Sequence, residues 1–235
     1  MDSEVSAMSR AIDLGNLSII APHKSKYYNY YDINWLINTV KAGKQLKYVT
    51  FWHEGSNYPN HVFSQWYEGV HFAVNGRTYI TAEQYMMSEK ALLFQDVYHY
   101  SLIMEEASPK KCKDLGRLVQ GFDEEKWDKA LREIIFHGNL AKFQSDIELV
   151  AALLDTENAI LVEASPYDGI YGAGLAENDL LDSSGNLKIP PQKWKNPKDG
   201  SQSTNHLGFV LMGIRDLFFA LMGQSWYPGE EQRPI

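Results

Sequence analysis

The chain has 235 residues, with 44% hydrophobic and 13% aromatic side chains, enough to bury a core and far from a disordered composition. A formal charge of −8 and a pI near 5.4 argue against a sequence-independent grip on nucleic acid through a broad basic face. The single cysteine, Cys112, excludes an intrachain disulfide framework and a thiolate zinc cluster, and no apolar run approaches the roughly 18 residues of a membrane span.

In chain order, residues 1 to about 30 show no period and predict an arm; the first twenty lack the basic start and apolar core of a signal peptide. Asp32 then caps "INWLINTVKAG", with Gly43 as its stop. "LKYVTFW" is a β-type run, and "VHFAVNGRTYI" reads as two strands joined by a type I′ turn at Asn75-Gly76. Thr81 and Gln84 form a capping-box pattern at the head of "TAEQYMMSEKALL". Ser108-Pro109 opens a helix over "SPKKCKDLGR", whose lysines predict a solvated face with Cys112 exposed among Lys110, Lys111 and Lys113.

Asp123, followed by Glu124 and Glu125, starts the long helix "EEKWDKALREIIFHGNLAKF". "IELVAALLDT" is a further helix and "AILVEAS" a short strand. The Gly-, Pro- and Ser-rich stretch from about 181 to 204 predicts a lid or a disordered insert. Thr204 then caps "NHLGFVLMGIRDLFFALMG", closed by Gly223. The sum is an α+β fold: one mostly helical domain over 46–222 with a small sheet and hairpin, a 1–45 extension of arm plus short helix, and a 223–235 tail.

Two stretches carry candidate chemistry. Glu83 falls in the first turn of its helix, where the macrodipole is positive, so its carboxyl is expected to ionise easily. Lys90, seven positions on, shares that face. Glu163 ends the strand at 160–162 and leads into a loop with Asp168, Tyr171, Gly172 and Gly174, where glycines let a backbone approach a ribose or phosphate. "GIYGAG" is not a dinucleotide fingerprint. For Glu83, Glu163 and Asp168, plain helix-capping, ion-pairing and turn-forming roles stand beside the functional ones.

Trp127 reads as core before it reads as a stacking platform. Lys142 and Arg215, cations among apolar neighbours, each need a carboxylate or an anionic ligand. The seven histidines show no metal-ligand spacing, and no metal site is expected. No P-loop, nucleophile elbow or HExxH occurs.

Four blocks in order, "TAEQYMMSEKALLF", Trp127 with "LAKFQSD" and "LLDT", "LVEASPYDGIYGAGL", and "NHLGFVLMGIRDL", resemble the NADAR family of YbiA-like proteins from about Thr50 to Leu217. The resemblance implies an N-glycosidase without cofactor. Its expected substrate is a phosphorylated riboflavin-pathway N-riboside or ADP-ribosylated guanine in nucleic acid. A non-catalytic ADP-ribose or NAD-binding module is the alternative.

It carries over Glu83 and Asp168 as catalytic, Glu83 to stabilise the ribose cation and Asp168 to protonate the base or hold water. Lys90 and Trp127 are carried over as substrate-binding residues, and Lys142, Tyr171, Gly172, Asn205 and Arg215 stand beside them as further substrate-binding candidates. Tyr171 stands where the family's third block usually has tryptophan. A cytoplasmic location is expected.

Overall fold

The computed structural model describes residues 27–222 except Glu54, Ser56 and Pro59, so the arm before residue 27, the stop at Gly223 and the tail at 223–235 lie outside the described residues. Helix α1 (Ile33–Lys41) starts where Asp32 accepts the Trp35 N–H at 2.7 Å, and it packs Ile33 and Leu36 into the same core as the rest of the chain. Strand β1 (Tyr48–Phe51) follows; the hairpin is β2 (Phe72–Val74) and β3 (Arg77–Tyr79). Asn75 and Gly76, at φ 51° and 77°, supply the two left-handed residues a type I′ turn demands.

Helix α2 (Ala82–Leu93) is capped by Thr81, whose hydroxyl accepts the Gln84 N–H at 3.1 Å, while the Gln84 side chain reaches back to the Ile80 N–H at 3.0 Å. It is barely amphipathic because it is hemmed in by α3 (Val97–Glu105), α4 (Pro109–Gly116) and α5 (Glu124–Gln144), and every residue from Ala82 to Ser88 is buried. Cys112 is in turn fully buried, not exposed. The period of α4 sends Lys110 and Lys111 outward while Cys112 and Gly116 face the core, with Gly116 under the Met87 side chain.

Helix α6 (Ile147–Leu154) leads into β4 (Ile160–Glu163), which pairs in parallel with β1 from Tyr48↔Ile160 to Phe51↔Glu163. Beyond the short α7 (Glu177–Leu180), α8 (His206–Leu221) packs across β4. Its N-cap is Asn205, at φ 47°, rather than Thr204, whose hydroxyl instead donates to the Ile170 carbonyl at 2.5 Å. Asn205 uses its side chain on the sheet, accepting the Glu163 N–H at 3.1 Å and donating to the Leu161 carbonyl at 2.9 Å.

The 181–204 segment is neither a loose lid nor a disordered insert. Trp194 is fully buried and donates its indole N–H to the Ile189 carbonyl at 2.9 Å. The Gln202 amide ties down the Pro191 and Trp194 carbonyls, each at 3.0 Å. One large apolar anchor and one amide thus fix a stretch whose composition reads as loop. No helix among the described residues is long and apolar enough to cross a membrane.

Candidate active site

The parallel strands β1 and β4 run side by side and end together at Phe51 and Glu163. Just beyond those ends lies a cavity of about 340 Å³. Crevices at the carboxyl ends of parallel strands are recurrent ligand sites, because the chain leaves the sheet there in loops that diverge. Here the walls come from the start of α2, from α4, from the loop after β4 and from the turn at 64–66.

Glu83, 2% exposed, enters from α2. One carboxyl oxygen accepts the Trp66 indole N–H at 3.2 Å; the other has no hydrogen-bond partner. Burial pushes its pKa up to about 7, against the pull of the Lys113 charge and the Trp66 N–H. This reverses the expected easy ionisation. The helix N-terminus is spent elsewhere, since the Glu83 N–H donates to the Gln65 carbonyl at 3.0 Å and that of Gln84 to Thr81. Loss of water then outweighs the dipole.

Glu163 comes from the end of β4. Its Oε2 is also buried without a partner, and burial, reinforced by Asp168, pushes it up to about 8. Between these carboxyls stands Lys113, on the α4 face expected to be solvated; its side chain is only 28% exposed and its ammonium lies 3.4 Å from Asp168 Oδ2. Burial works against that charge, but Glu83, Asp168 and Glu163 together raise its pKa. Asp168 also accepts the Ile170 and Tyr171 N–H groups at 3.0 and 2.9 Å, so both its oxygens are engaged as acceptors. The Tyr171 ring faces Lys113, 6.0 Å from ring centre to ammonium. Burial raises the Tyr171 hydroxyl well above the usual tyrosine range, opposed by the Trp127 indole beside it.

The structure therefore brings Glu83, Asp168 and Tyr171 to one cavity and stations other expected residues around it. Gly172 lets the loop fold back onto β4: a Cβ there would lie 2.6 Å from the Glu163 carbonyl. Asn205 holds the backbone of β4, as described above. Trp127 is core, 7% exposed, and backs Tyr171. Lys90 lays its ammonium over the rings of Phe122 and Trp127 at 4.4 and 5.5 Å, one helix rise of about 10 Å from Glu83.

Lys142 and Arg215 do not reach the cavity. Lys142 is fully buried and gives its ammonium to the Val62 and Ser64 carbonyls, both at 2.7 Å. Arg215 donates to Thr156 Oγ1 and the Ala159 carbonyl at 2.9 and 2.8 Å, at the opposite end of β4. For Lys142 the required partner is backbone carbonyl oxygen; Arg215 has, besides the Thr156 hydroxyl and the Ala159 carbonyl, the expected carboxylate, with its Nε 3.9 Å from Asp216 Oδ1.

Sequence reasoning passed over Trp66, Gln65, Trp52 and Arg117, and it left Glu163 open between salt bridge and function. Their signal is weak because they meet across distant segments. Among the described residues no group of three or more His, Cys, Asp or Glu is arranged to hold a metal ion.

Such a site, an acidic cluster around one lysine under aromatic walls, suits a hydrolase that protonates a leaving group beside a developing positive charge. Residues 50–218 match the NADAR domain family, so the chain belongs to the NADAR family. N-glycosidase R617 of Acanthamoeba polyphaga mimivirus is 42% identical over 176 residues, which span 72% of this chain and 95% of that protein. N-glycosidase YbiA of Escherichia coli (strain K12) is 31% identical over 143 residues, 61% of this chain and 72% of YbiA. The NMR structure of E. coli YbiA shares the fold, with a TM-score of 0.56 at 22% identity over 80% of this chain and 94% of that one. This kinship places the chain among the glycosidase hydrolases.

Proposed function

We propose that the chain hydrolyses the C1′–N bond between a ribose and a nitrogenous base. The observation that carries this reading is the pair of buried carboxyls, Glu83 and Glu163, each with an unpartnered oxygen and both set around Lys113 in one cavity. Cleavage of such a bond passes through an oxocarbenium-like ribose, and the base leaves more readily when its nitrogen is protonated. Glu163, pushed highest, keeps its proton near neutrality and gives it to the departing nitrogen. Glu83, backed by the Trp66 N–H, is ionised in part at the same pH, faces the cationic C1′ and takes a proton from the attacking water. The C1′–N bond breaks, a C1′–O bond forms, and the products are free base and a reducing ribose. Asp168, acceptor on both oxygens, holds Lys113 and shapes the loop.

Two substrates fit this chemistry, a phosphorylated riboflavin-pathway N-riboside and ADP-ribosylated guanine. A cavity of about 340 Å³ is at the small end for a ligand pocket, and the formal charge of −8 opposes a long polyanion, so the small N-riboside phosphate is favoured. The reduced state expected of the lone Cys112 accords with a cytoplasmic location.

The test is incubation of the purified protein with a 5-phosphoribosylamino-pyrimidine and, separately, with DNA ADP-ribosylated on guanine, following base and sugar by chromatography. Free base from the first is the expected result. Release from the DNA alone reassigns the substrate, and binding without release from either would leave an ADP-ribose module instead.

A further inference from the structure

Lys142 and Asn139 lie one turn apart on α5, fully buried and beyond the reach of any ligand in the cavity. Both nevertheless grip the turn that forms one cavity wall. The Lys142 ammonium binds the Val62 and Ser64 carbonyls, both at 2.7 Å, and the Asn139 amide donates to Gln65 Oε1 at 2.9 Å. The gripped turn continues directly into the catalytic cluster. The Gln65 carbonyl accepts the Glu83 N–H at 3.0 Å, Ser64 Oγ accepts the Trp66 N–H at 3.1 Å, and the Trp66 indole donates to Glu83 Oε2 at 3.2 Å.

We infer that Lys142 and Asn139 are positioning residues, which clamp the 62–65 turn from behind and so fix the Trp66 indole against the Glu83 carboxylate. This deepens the N-glycosidase reading and rests on it for its kinetic consequences.

A lysine in an apolar core is costly to bury, and two well-aligned carbonyls offset that cost only for this one geometry. The rings of Tyr67 and Phe143, each 5.2 Å from the ammonium, close off water. A leucine or methionine would fill the space at lower cost. What it would not do is hold the Val62 and Ser64 carbonyls at the end of the single 3₁₀ turn His61–Phe63, whose own backbone bonds run only from the Phe63 and Ser64 N–H groups to the Asn60 and His61 carbonyls. The charged groups that act on Glu83 from the other elements are Lys113 and Arg117 on the α4 side, and Asp168 in the loop after β4. Of these, Lys113 also lies over the Trp66 ring, 5.9 Å from ammonium to ring centre, and the Gln65 carbonyl holds the Glu83 backbone, so the Trp66 indole is the contact through which the clamp reaches the Glu83 carboxyl itself.

Three proteins test this: wild type, Lys142→Met and Trp66→Phe. The Glu83 carboxyl is titrated by carbon-13 NMR, and kcat and KM are measured across pH. Loosening the clamp weakens the indole hydrogen bond, which favours the carboxylate, so the Glu83 midpoint moves upward in Lys142→Met as it does in Trp66→Phe. A rise of about half a pH unit is the size expected for one such bond. The same variant loses about tenfold in kcat, with KM nearly unchanged, because a displaced catalytic group costs turnover more than binding.

A Lys142→Met protein that folds with an unmoved Glu83 midpoint overturns the inference, whatever its activity. A variant that fails to fold shifts the decision to Asn139→Ala, which must show the same upward movement. The titration needs no substrate, so it stands apart from the failure of the N-glycosidase reading itself.

Discussion

Glu163→Gln is expected to lose about 10²- to 10⁴-fold in kcat while becoming the more stable protein at alkaline pH. The amide keeps the shape but has no proton to give the departing base, and it removes one buried charge from the cluster of Glu83, Asp168 and Lys113. The stability effect follows from the direction of the shift. In the unfolded chain the Glu163 carboxyl titrates near 4.5, and in the folded one near 8, so between these values the folded state holds the extra proton. Wild-type stability from this group is therefore present below about pH 4.5 and is lost as pH rises through about 8.

The glutamine variant escapes that loss. Its melting temperature should exceed that of the wild type by about 5 °C or more at pH 8, for a few kcal/mol at this chain length, and by little at pH 5. Melting curves at the two pH values check it. A gap that is the same at both, or reversed, would mean that Glu163 is not buried as a neutral acid. The alkaline limb of the wild-type rate profile has the same origin, and it should disappear from whatever activity the variant retains.

Gly208→Ala should cost about 3 kcal/mol or more, with loss of activity well below the melting temperature. A Cβ at residue 208 would stand 2.1 Å from the Leu161 carbonyl and 2.6 Å from the Asn205 amide, and neither is the free end of a flexible side chain. Either α8 lifts away from β4, or Asn205 lets go of the Glu163 N–H. Both displace Glu163 before the remainder of the core opens. Chemical denaturation gives the stability, and activity at rising temperature gives the local effect. A fully stable, fully active Gly208→Ala would show that α8 is not seated on β4 as described.

What could be read from the sequence was what neighbours in the chain decide. Asp32, Thr81, Ser108 and Asp123 each accept the backbone N–H three residues on, so their helices begin where a capping side chain says they should. Asn75-Gly76 closes its hairpin for an equally local reason. The parallel pairing of β1 with β4 joins segments more than a hundred residues apart, and nothing local marks it.

The site divides along the same line. Glu83 and Asp168 are visible as acids in distinctive blocks, but the shift of Glu83 comes from burial in the folded chain, which no spacing encodes. Lys113 looks like one more lysine in a basic run until the cavity appears beneath it. Lys142 and Arg215 both obey the rule that a buried cation needs an acceptor: Arg215 has the expected carboxylate in Asp216, whereas for Lys142 the main chain supplies the oxygens.

The measurement closest to the central claim is a time course of base release from a 5-phosphoribosylamino-pyrimidine by the wild type beside Glu83→Gln at pH 7. Free base and a reducing pentose phosphate in equal amounts from the wild type, with a rate at least about a hundredfold lower in the variant, is the predicted result. Equal release by the two proteins would contradict the account, because the bond would then be breaking without the carboxyl that the cavity is built around.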